Sequence, residues 1–188
     1  MPDFFEVLRT RRTVRSYTSK PVAREDIQRL IDDAILAPSG MNLQPWAFTA
    51  VTRRAVMQQL NAIVVAILRS AEAQAHMSER IKEVVNAPGY DIFYGAPALI
   101  VIQADSSVPG APVDCQLAME NLLLSAHALG LGACYMGFLL LAAEVPEARQ
   151  LLGIAEGFRM VAAAIVGHPG VRPDGPPVRT PARINWVD

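Results

Sequence analysis

Two predicted helices of this chain carry apolar side chains on every face, so neither can lie half in water. The first runs from about Ala55 to Arg69 and contains the apolar run Ala62–Leu68, and the second, Val113–Leu129, ends at Gly130. A helix on a protein surface has one apolar stripe, whereas a helix that is apolar all round is buried in a core or an interface. The chain must therefore cover both helices, within one protomer or against a second copy.

The composition excludes several classes of protein. Of the 188 residues, 52% are hydrophobic and only 19% are charged, so the chain is not disordered. Two cysteines do not make a disulfide scaffold, and the longest run without a polar side chain, Ala128–Ala143, is too short for a membrane-spanning helix. The first residues lack the order of a signal peptide. We therefore expect one cytoplasmic domain over residues 1–188, in an oligomer that buries its surplus apolar surface and has no membrane partner.

The order of the predicted elements indicates the fold class. Pairs of helices stand between the strands, which is not the regular rhythm of a Rossmann fold. We expect an α+β protein, or an α/β protein with a mixed sheet, in which helices flank a central mixed β-sheet. Besides the two apolar helices, the predicted helices are Phe4–Thr10, Arg24–Leu36, Ala71–Val85 and Pro146–Leu152; the strands are Trp46–Val51, Ala98–Ala104 and Met160–Gly167, with Cys134–Phe138 as a short strand or loop.

Basic residues are concentrated near the start of the chain. Arginine outnumbers lysine by 15 to two overall, and five basic residues fall within twelve positions, alternating with small hydroxyl side chains: Arg9, Arg11, Arg12, Arg15 and Lys20. Such a run is often a solvated surface patch. Arginine forks and hydroxyl groups together also suit phosphate and sugar oxygens. The rest of the chain has no broad basic surface, so we expect a compact anion here and no nucleic acid.

Sequence motifs give no nucleophile and no metal site. The segment around Gly130, Gly132 and Gly137 follows a helix and has Tyr135 where the dinucleotide fingerprint needs its third glycine, so it does not indicate a Rossmann site. The histidines are scattered, and Cys115 and Cys134 are expected to be buried small hydrophobes. An enzyme of this kind would need a cofactor to carry its chemistry.

The most unusual stretch is Ala37–Phe48, with the sequence APSGMNLQPWAF. It places Ser39, Asn42 and Gln44 between a helix end and a strand. Amide side chains both donate and accept hydrogen bonds, as recognition of a heteroaromatic ring or a polyol requires. A loop that only stops a helix explains Pro38 and Gly40 but leaves the amides unexplained.

Five motifs in order resemble the FMN-dependent nitroreductase family over nearly the whole chain. The basic segment RRTVRSY (Arg11–Tyr17) matches the family with Thr for Ser, and APSGMNLQPWAF matches every fixed position. They are followed by FYGAPALIVI from Phe93, by a long helix that leads into a G-L-G turn, and by Gly167–Pro169 after the last strand.

The resemblance implies a bound FMN and the residues that hold it. The phosphate and ribityl chain would lie against Arg11, Arg12, Thr13 and Arg15. A late basic residue, Arg179 or alternatively Arg183, would join them from an extended tail at 168–188. Pro38, Ser39 and Asn42 would approach the flavin from the other subunit of an intertwined homodimer. The backbone of Tyr135, Met136 and Gly137 would line the isoalloxazine with an N–H near N5; many relatives have Glu at the position of Met136, so the local electrostatics differ here.

The resemblance also implies an activity. Reducing equivalents would pass from NADH or NADPH through the flavin to nitroaromatics, quinones or similar planar acceptors, in two half-reactions and without a catalytic side chain or metal. Residues 71–95, with Tyr90, Phe93 and Tyr94, would form a mobile lid or substrate face. The alternatives are a non-catalytic flavin-storage dimer, a flavin-dependent reductive dehalogenase and a flavin-cleaving relative.

Overall fold

The computed structural model describes residues 2–173, 175 and 178–188. In chain order, its helices and strands are Phe4–Thr10 (α1), Arg24–Ala34 (α2), Trp46–Val51 (β1), Arg54–Leu68 (α3), Ala71–Ala75 (α4), Glu79–Asn86 (α5), Ala98–Asp105 (β2), Ala111–Ala128 (α6), Gly132–Tyr135 (β3), Pro146–Leu152 (α7) and Phe158–Gly167 (β4). Two 3-10 helices lie at Gly40–Asn42 and Gly137–Ala142.

The four strands form one sheet in the order β1-β2-β4-β3, and its three ladders are antiparallel. An isolated parallel bridge joins Thr13 to Ala133 beyond β3. The α+β class with helices on both faces of a central sheet is confirmed. The predicted mixed sheet takes the form of an antiparallel sheet with this one parallel bridge at its edge.

Two apolar clusters pack on opposite faces of the sheet. The first face carries α2 and α6, and the second carries α3, α7 and the 3-10 helix Gly137–Ala142. Strand β2 is covered on both sides: Ile100 and Ile102 face the first cluster, whereas Leu99 and Val101 face the second. A central strand buried on both faces is apolar throughout, which explains why β2 lacks a polar alternation.

A β-bulge interrupts the ladder between β2 and β4. Ile102 pairs with Ala162 and the next residue, Gln103, pairs with Met160, so Val161 has no partner on β2. The insertion shifts the alternation of β4 by one residue, because Val161 and Ala162 both pack on the first cluster. The carbonyl of Val161 is consequently turned away from β2.

Several predicted bounds move. The single predicted helix Ala71–Val85 is two helices, α4 and α5, separated by a turn at His76–Met77, and β3 begins two residues before Cys134. The 3-10 helix Gly137–Ala142 was not predicted. None of the helices among the described residues is long and apolar enough to cross a membrane.

The two apolar helices differ in how they are covered. Helix α3 buries Met57, Leu60, Val64 and Leu68 on one face, and its remaining apolar side chains pack partly against the second cluster. Helix α6 is covered by the sheet on one side but leaves Val113 and Leu117 exposed. Of these two helices, α6 is therefore the one that leaves large apolar side chains exposed in the protomer.

Candidate functional site

The segment Arg11–Tyr17 lies along the edge of the sheet at β3. The Val14 N–H donates to the Ala133 carbonyl over 3.0 Å, and the side chain of Val14 is buried. Gly132 permits this approach, since a Cβ there would lie 2.8 Å from the Val14 Cβ. Side chains alternate along an extended segment, so Thr13 and Arg15 leave the buried side that Val14 occupies.

Arg15 borders a cleft of about 320 Å³ at the end of β3. Its guanidinium carbon lies 5.9 Å from the centroid of the Tyr94 ring, a cation–π distance. The lining residues are Arg15, Ile92, Tyr94, Cys134, Tyr135, Met136, Gly137 and Phe138. The structure thus brings four of the predicted residues together: Arg15 and the predicted flavin-facing segment Tyr135–Gly137.

Backbone donors face this cleft where β3 runs into a 3-10 helix. The Met136 N–H is not free, because it donates to the Ala163 carbonyl over 2.8 Å, and the Met136 side chain is buried in the second cluster. Gly137 and Phe138 open the 3-10 helix, so their N–H groups have no acceptor within it. An acceptor atom in the cleft could therefore accept from the N–H of Gly137 or Phe138, both of which line it.

A basic residue that the sequence did not indicate lies near the arginines of the predicted anion site. The Arg11 Nε is 3.5 Å from the Glu120 carboxylate, and Arg12 donates to the Gly175 carbonyl. Arg172, which was not predicted, donates to the Gly130 carbonyl over 2.6 Å. Burial, followed by the nearby charges of Arg172 and Arg11, lowers the pKa of His127. Arg11 and Arg172 therefore both lie near enough to His127 to lower its pKa.

Comparisons with known proteins identify the family of this chain. The family model described as "Nitroreductase family" matches residues 8–168. This chain belongs to the nitroreductase family. A Methanothermobacter thermautotrophicus protein, provisionally named NADH dehydrogenase/NAD(P)H nitroreductase, is 32% identical over 97% of this chain and 86% of its own length.

Two further relatives of this nitroreductase-family chain bear on function. The crystal structure of a Bacteroides fragilis nitroreductase with bound FMN superposes with a TM-score of 0.84 at 26% identity, covering 100% of both chains. A Thermotoga neapolitana iodotyrosine deiodinase is 28% identical over 71% of this chain and 73% of its own length.

The family's second motif forms a strained loop away from the cleft. Met41, Asn42 and Gln44 have positive φ angles of 51°, 56° and 49°, a conformation that costs free energy in residues other than glycine. The Ser39 Oγ accepts from the Gln44 N–H over 3.0 Å, and the Asn42 Oδ1 accepts from the Gln44 side chain over 3.1 Å. Pro38, Ser39 and Asn42 do not line the cleft of their own protomer, so their predicted contact with a flavin in the other subunit stays a prediction.

The predicted substrate face is only partly at the cleft. Tyr94 lines it with a positive φ of 53°, in a turn where the Asp91 carboxylate accepts from the N–H groups of Phe93 and Gly95. The Phe93 side chain is buried in the second cluster instead. Tyr90 lines a different cavity of about 510 Å³, and burial raises its pKa to about 12. Of the three predicted aromatic residues, Tyr94 is the one that forms the cleft wall.

The late basic residues lie in an exposed tail. Arg179 and Arg183 are exposed, and no hydrogen bond or ion pair of either is recorded among the described residues. Their predicted contact with the phosphate stays a prediction. Within one protomer, Arg172 is the basic residue after β4 that lies near Arg11, because both act on His127.

Neither cysteine has the environment of a nucleophile. Burial raises the pKa of the Cys134 thiol, and the Arg15 charge opposes this shift to a smaller extent. Burial also raises the pKa of Cys115 to about 12. Both thiols are therefore protonated at neutral pH. Among the described residues there is also no group of three or more His, Cys, Asp or Glu side chains that could hold a metal ion.

Proposed function

We propose that this chain is an NAD(P)H-dependent FMN oxidoreductase that reduces nitroaromatics, quinones or similar planar acceptors in two successive half-reactions. The observation that carries the proposal is the cleft at the end of β3, which is lined by Arg15, by Tyr94 and by the start of the 3-10 helix at Gly137. Family membership supports the same assignment.

The residues present fit FMN. An isoalloxazine ring carries acceptor atoms along one edge, and the Gly137 and Phe138 N–H groups supply donors without a competing protein acceptor. Gly137 also leaves room for a ring, since the nearest atom to a Cβ there would be 3.9 Å away. The phosphate and ribityl chain would lie against Arg11, Arg12 and Thr13, with Arg179 reaching them from the tail.

FMN supplies the redox chemistry when bound, by accepting a hydride from NAD(P)H and returning two electrons to the acceptor. The chain's own residues bind and orient. Arg15 holds positive charge beside the cleft and is itself positioned by the ring of Tyr94. The backbone at Tyr135–Gly137 forms the floor, and the buried Met136 side chain keeps that floor fixed. Neither buried thiol takes part, because each stays protonated.

Anaerobic titration of the FMN-loaded protein with NADH and with NADPH tests this function. We expect one or both to bleach the flavin absorbance within seconds, and an added quinone to restore it. A protein that neither nucleotide reduces would instead be a flavin-storage dimer, the main alternative, and the proposed activity would be wrong.

We also propose that the active form is an intertwined homodimer with the flavins at its interface. Exposed apolar side chains include residues of α1, of α6 and of the tail: Phe4, Phe5, Leu8, Val113, Leu117, Ile184, Trp186 and Val187. Large apolar side chains that stay exposed in one protomer favour burial against a second copy. The placement of Pro38, Ser39 and Asn42 away from their own cleft supports sites shared between subunits.

Charge on α6 should separate the subunits. Leu117→Glu places a carboxylate on the exposed face of α6 and should yield a monomer in sedimentation velocity, with FMN affinity lowered about tenfold or more. Leu117 is 44% exposed, and Val84 on α5 is 49% exposed, so Val84→Glu is a matched control that should stay dimeric. If Leu117→Glu remains a dimer with unchanged affinity, α6 is not the interface.

A reductive dehalogenase is the second candidate, because iodotyrosine deiodinase is among the relatives. The discriminating measurement is halide release. Incubation of the reduced protein with 3-iodotyrosine would release iodide stoichiometrically from a dehalogenase, whereas the proposed oxidoreductase should consume quinone and leave iodotyrosine intact.

A further inference from the structure

Tyr135 is the side chain of the cleft that faces away from the core. Its neighbours Cys134 and Met136 are buried in the second cluster, and side chains alternate along a strand. Tyr135 therefore projects from the opposite side of β3, where it is 37% exposed and lines the cleft. The role that the family motif gives this position concerns its backbone and leaves the phenol unassigned.

The bulge in β4 holds the ring of Tyr135 through a glutamine. Val161 lacks a partner on β2, and its carbonyl accepts from the Gln116 Nε2 on α6 over 2.8 Å. The same Nε2 lies 3.1 Å from the Tyr135 hydroxyl oxygen. Because a carbonyl oxygen can only accept, this contact fixes which end of the Gln116 amide is the nitrogen.

The direction of the second hydrogen bond follows from counting hydrogens. An amide nitrogen carries two hydrogens and accepts none. One goes to the Val161 carbonyl and the other to the Tyr135 oxygen, so the phenol accepts from Gln116. The phenolic hydrogen then has no partner in this pair, and the ring is held in place with its O–H free to donate.

We propose that Tyr135 is a specificity-determining hydrogen-bond donor to the oxygen of a planar acceptor, a quinone carbonyl, nitro or carboxylate oxygen, and that Gln116 is its positioning residue. This proposal rests on the proposed oxidoreductase function. The preference for acceptors that carry oxygen atoms would then come from the Tyr135 side chain, which lies on the opposite side of β3 from the buried Met136 side chain. A phenol that accepts from Gln116 is also a better donor, because hydrogen bonds in a chain polarise one another.

The test uses two variants of the FMN-loaded protein and a non-reducible probe. Tyr135→Phe removes the donor and keeps the ring, whereas Gln116→Glu keeps the phenol but offers it a carboxylate that takes up its hydrogen. Titration of benzoate into the oxidised protein, followed by the flavin absorbance, should show about 3- to 10-fold weaker binding for both variants. Gln28→Leu, which changes a surface glutamine on α2 that bonds only to Asp32, should bind benzoate as the wild type does.

Steady-state kinetics then locate the effect. With 1,4-benzoquinone, both variants should raise KM about 3- to 10-fold more than they do with ferricyanide, which has no carbonyl or nitro oxygen, whereas Gln28→Leu should keep the wild-type KM for both acceptors. Benzoate binding within twofold of the wild type for Tyr135→Phe would overturn the donor role, and wild-type binding in Gln116→Glu would overturn the positioning role. The benzoate titration needs no reductant, so it remains decisive even if neither nucleotide reduces the flavin and the proposed function fails.

Discussion

Replacing Arg11 and Arg15 together by alanine should remove FMN from the purified protein while the proposed dimer persists. The two arginines stand two positions before and two positions after Thr13 in the sequence, and each can make charge-assisted hydrogen bonds to the phosphate or the flavin. Such bonds contribute about 1.5–3 kcal/mol each, so we expect the dissociation constant to rise about a hundredfold or more. Quenching of FMN fluorescence on titration with apoprotein measures it directly.

The control for this variant is Arg80→Ala. Arg80 is exposed on α5, outside the cleft, so its loss removes one positive charge, against two in the double variant, and should leave FMN affinity within twofold. Sedimentation velocity should give the same mass for both proteins. Retention of flavin by the double variant would show that the phosphate lies elsewhere, and Arg172 with Arg12 would be the next residues to replace.

Sequence periodicity was sufficient to locate the core elements. Strand Trp46–Val51 and helix Pro146–Leu152 begin and end at the predicted residues. The turn residues that flank each element in the sequence determine where it ends. The resemblance also identified the segment Tyr135–Gly137, which the structure places in one cleft with Arg15. These features depend on residues that are close together in the chain, or on family motifs that can be recognised directly in the sequence.

Features that depend on residues far apart in the chain were missed. The contact of Arg172 with the Gly130 carbonyl joins residues 42 positions apart, and nothing in the sequence around Arg172 distinguishes it from Arg179. The bulge at Val161 is also invisible in an apolar run, because an inserted valine preserves the composition of the strand. Only the pairing with β2 shows that the alternation shifts.

The structure distinguishes between the aromatic residues predicted for the substrate face, which the sequence alone could not do. Phe93 and Tyr94 are adjacent, and the sequence gives no indication of which one faces the core. In the structure, Tyr94 has a positive φ, and the Ile92 N–H donates to Asn61, which is 31 positions away. Phe93 is the ring that faces the core. Positive φ angles at Met41, Asn42 and Gln44 were equally unpredictable, since none of these residues is glycine.

Gly132→Ala should both destabilise the protein and weaken its hold on FMN. The new Cβ would lie 2.8 Å from the Val14 Cβ and from its Cγ1, and 2.9 Å from its Cγ2, closer than carbon atoms approach without displacement. Val14 cannot retreat easily, because its side chain is buried and its N–H is bonded to the Ala133 carbonyl. Overpacking of this kind costs about 1–3 kcal/mol, which urea denaturation of the apoprotein would measure as a lower midpoint with an unchanged slope.

The same displacement reaches the site, since Thr13 and Arg15 flank Val14. We therefore expect FMN affinity to fall in Gly132→Ala although no residue of the cleft has been changed. Gly110→Ala is the matched control, because Gly110 has a negative φ of −79° and no atom within 4 Å of a Cβ there. The double variant Gly132→Ala with Val14→Gly removes the three clashing atoms and should recover FMN affinity even though it loses buried valine surface. A wild-type midpoint and affinity in Gly132→Ala would mean that the segment at Arg11–Tyr17 is not held against β3 by this contact.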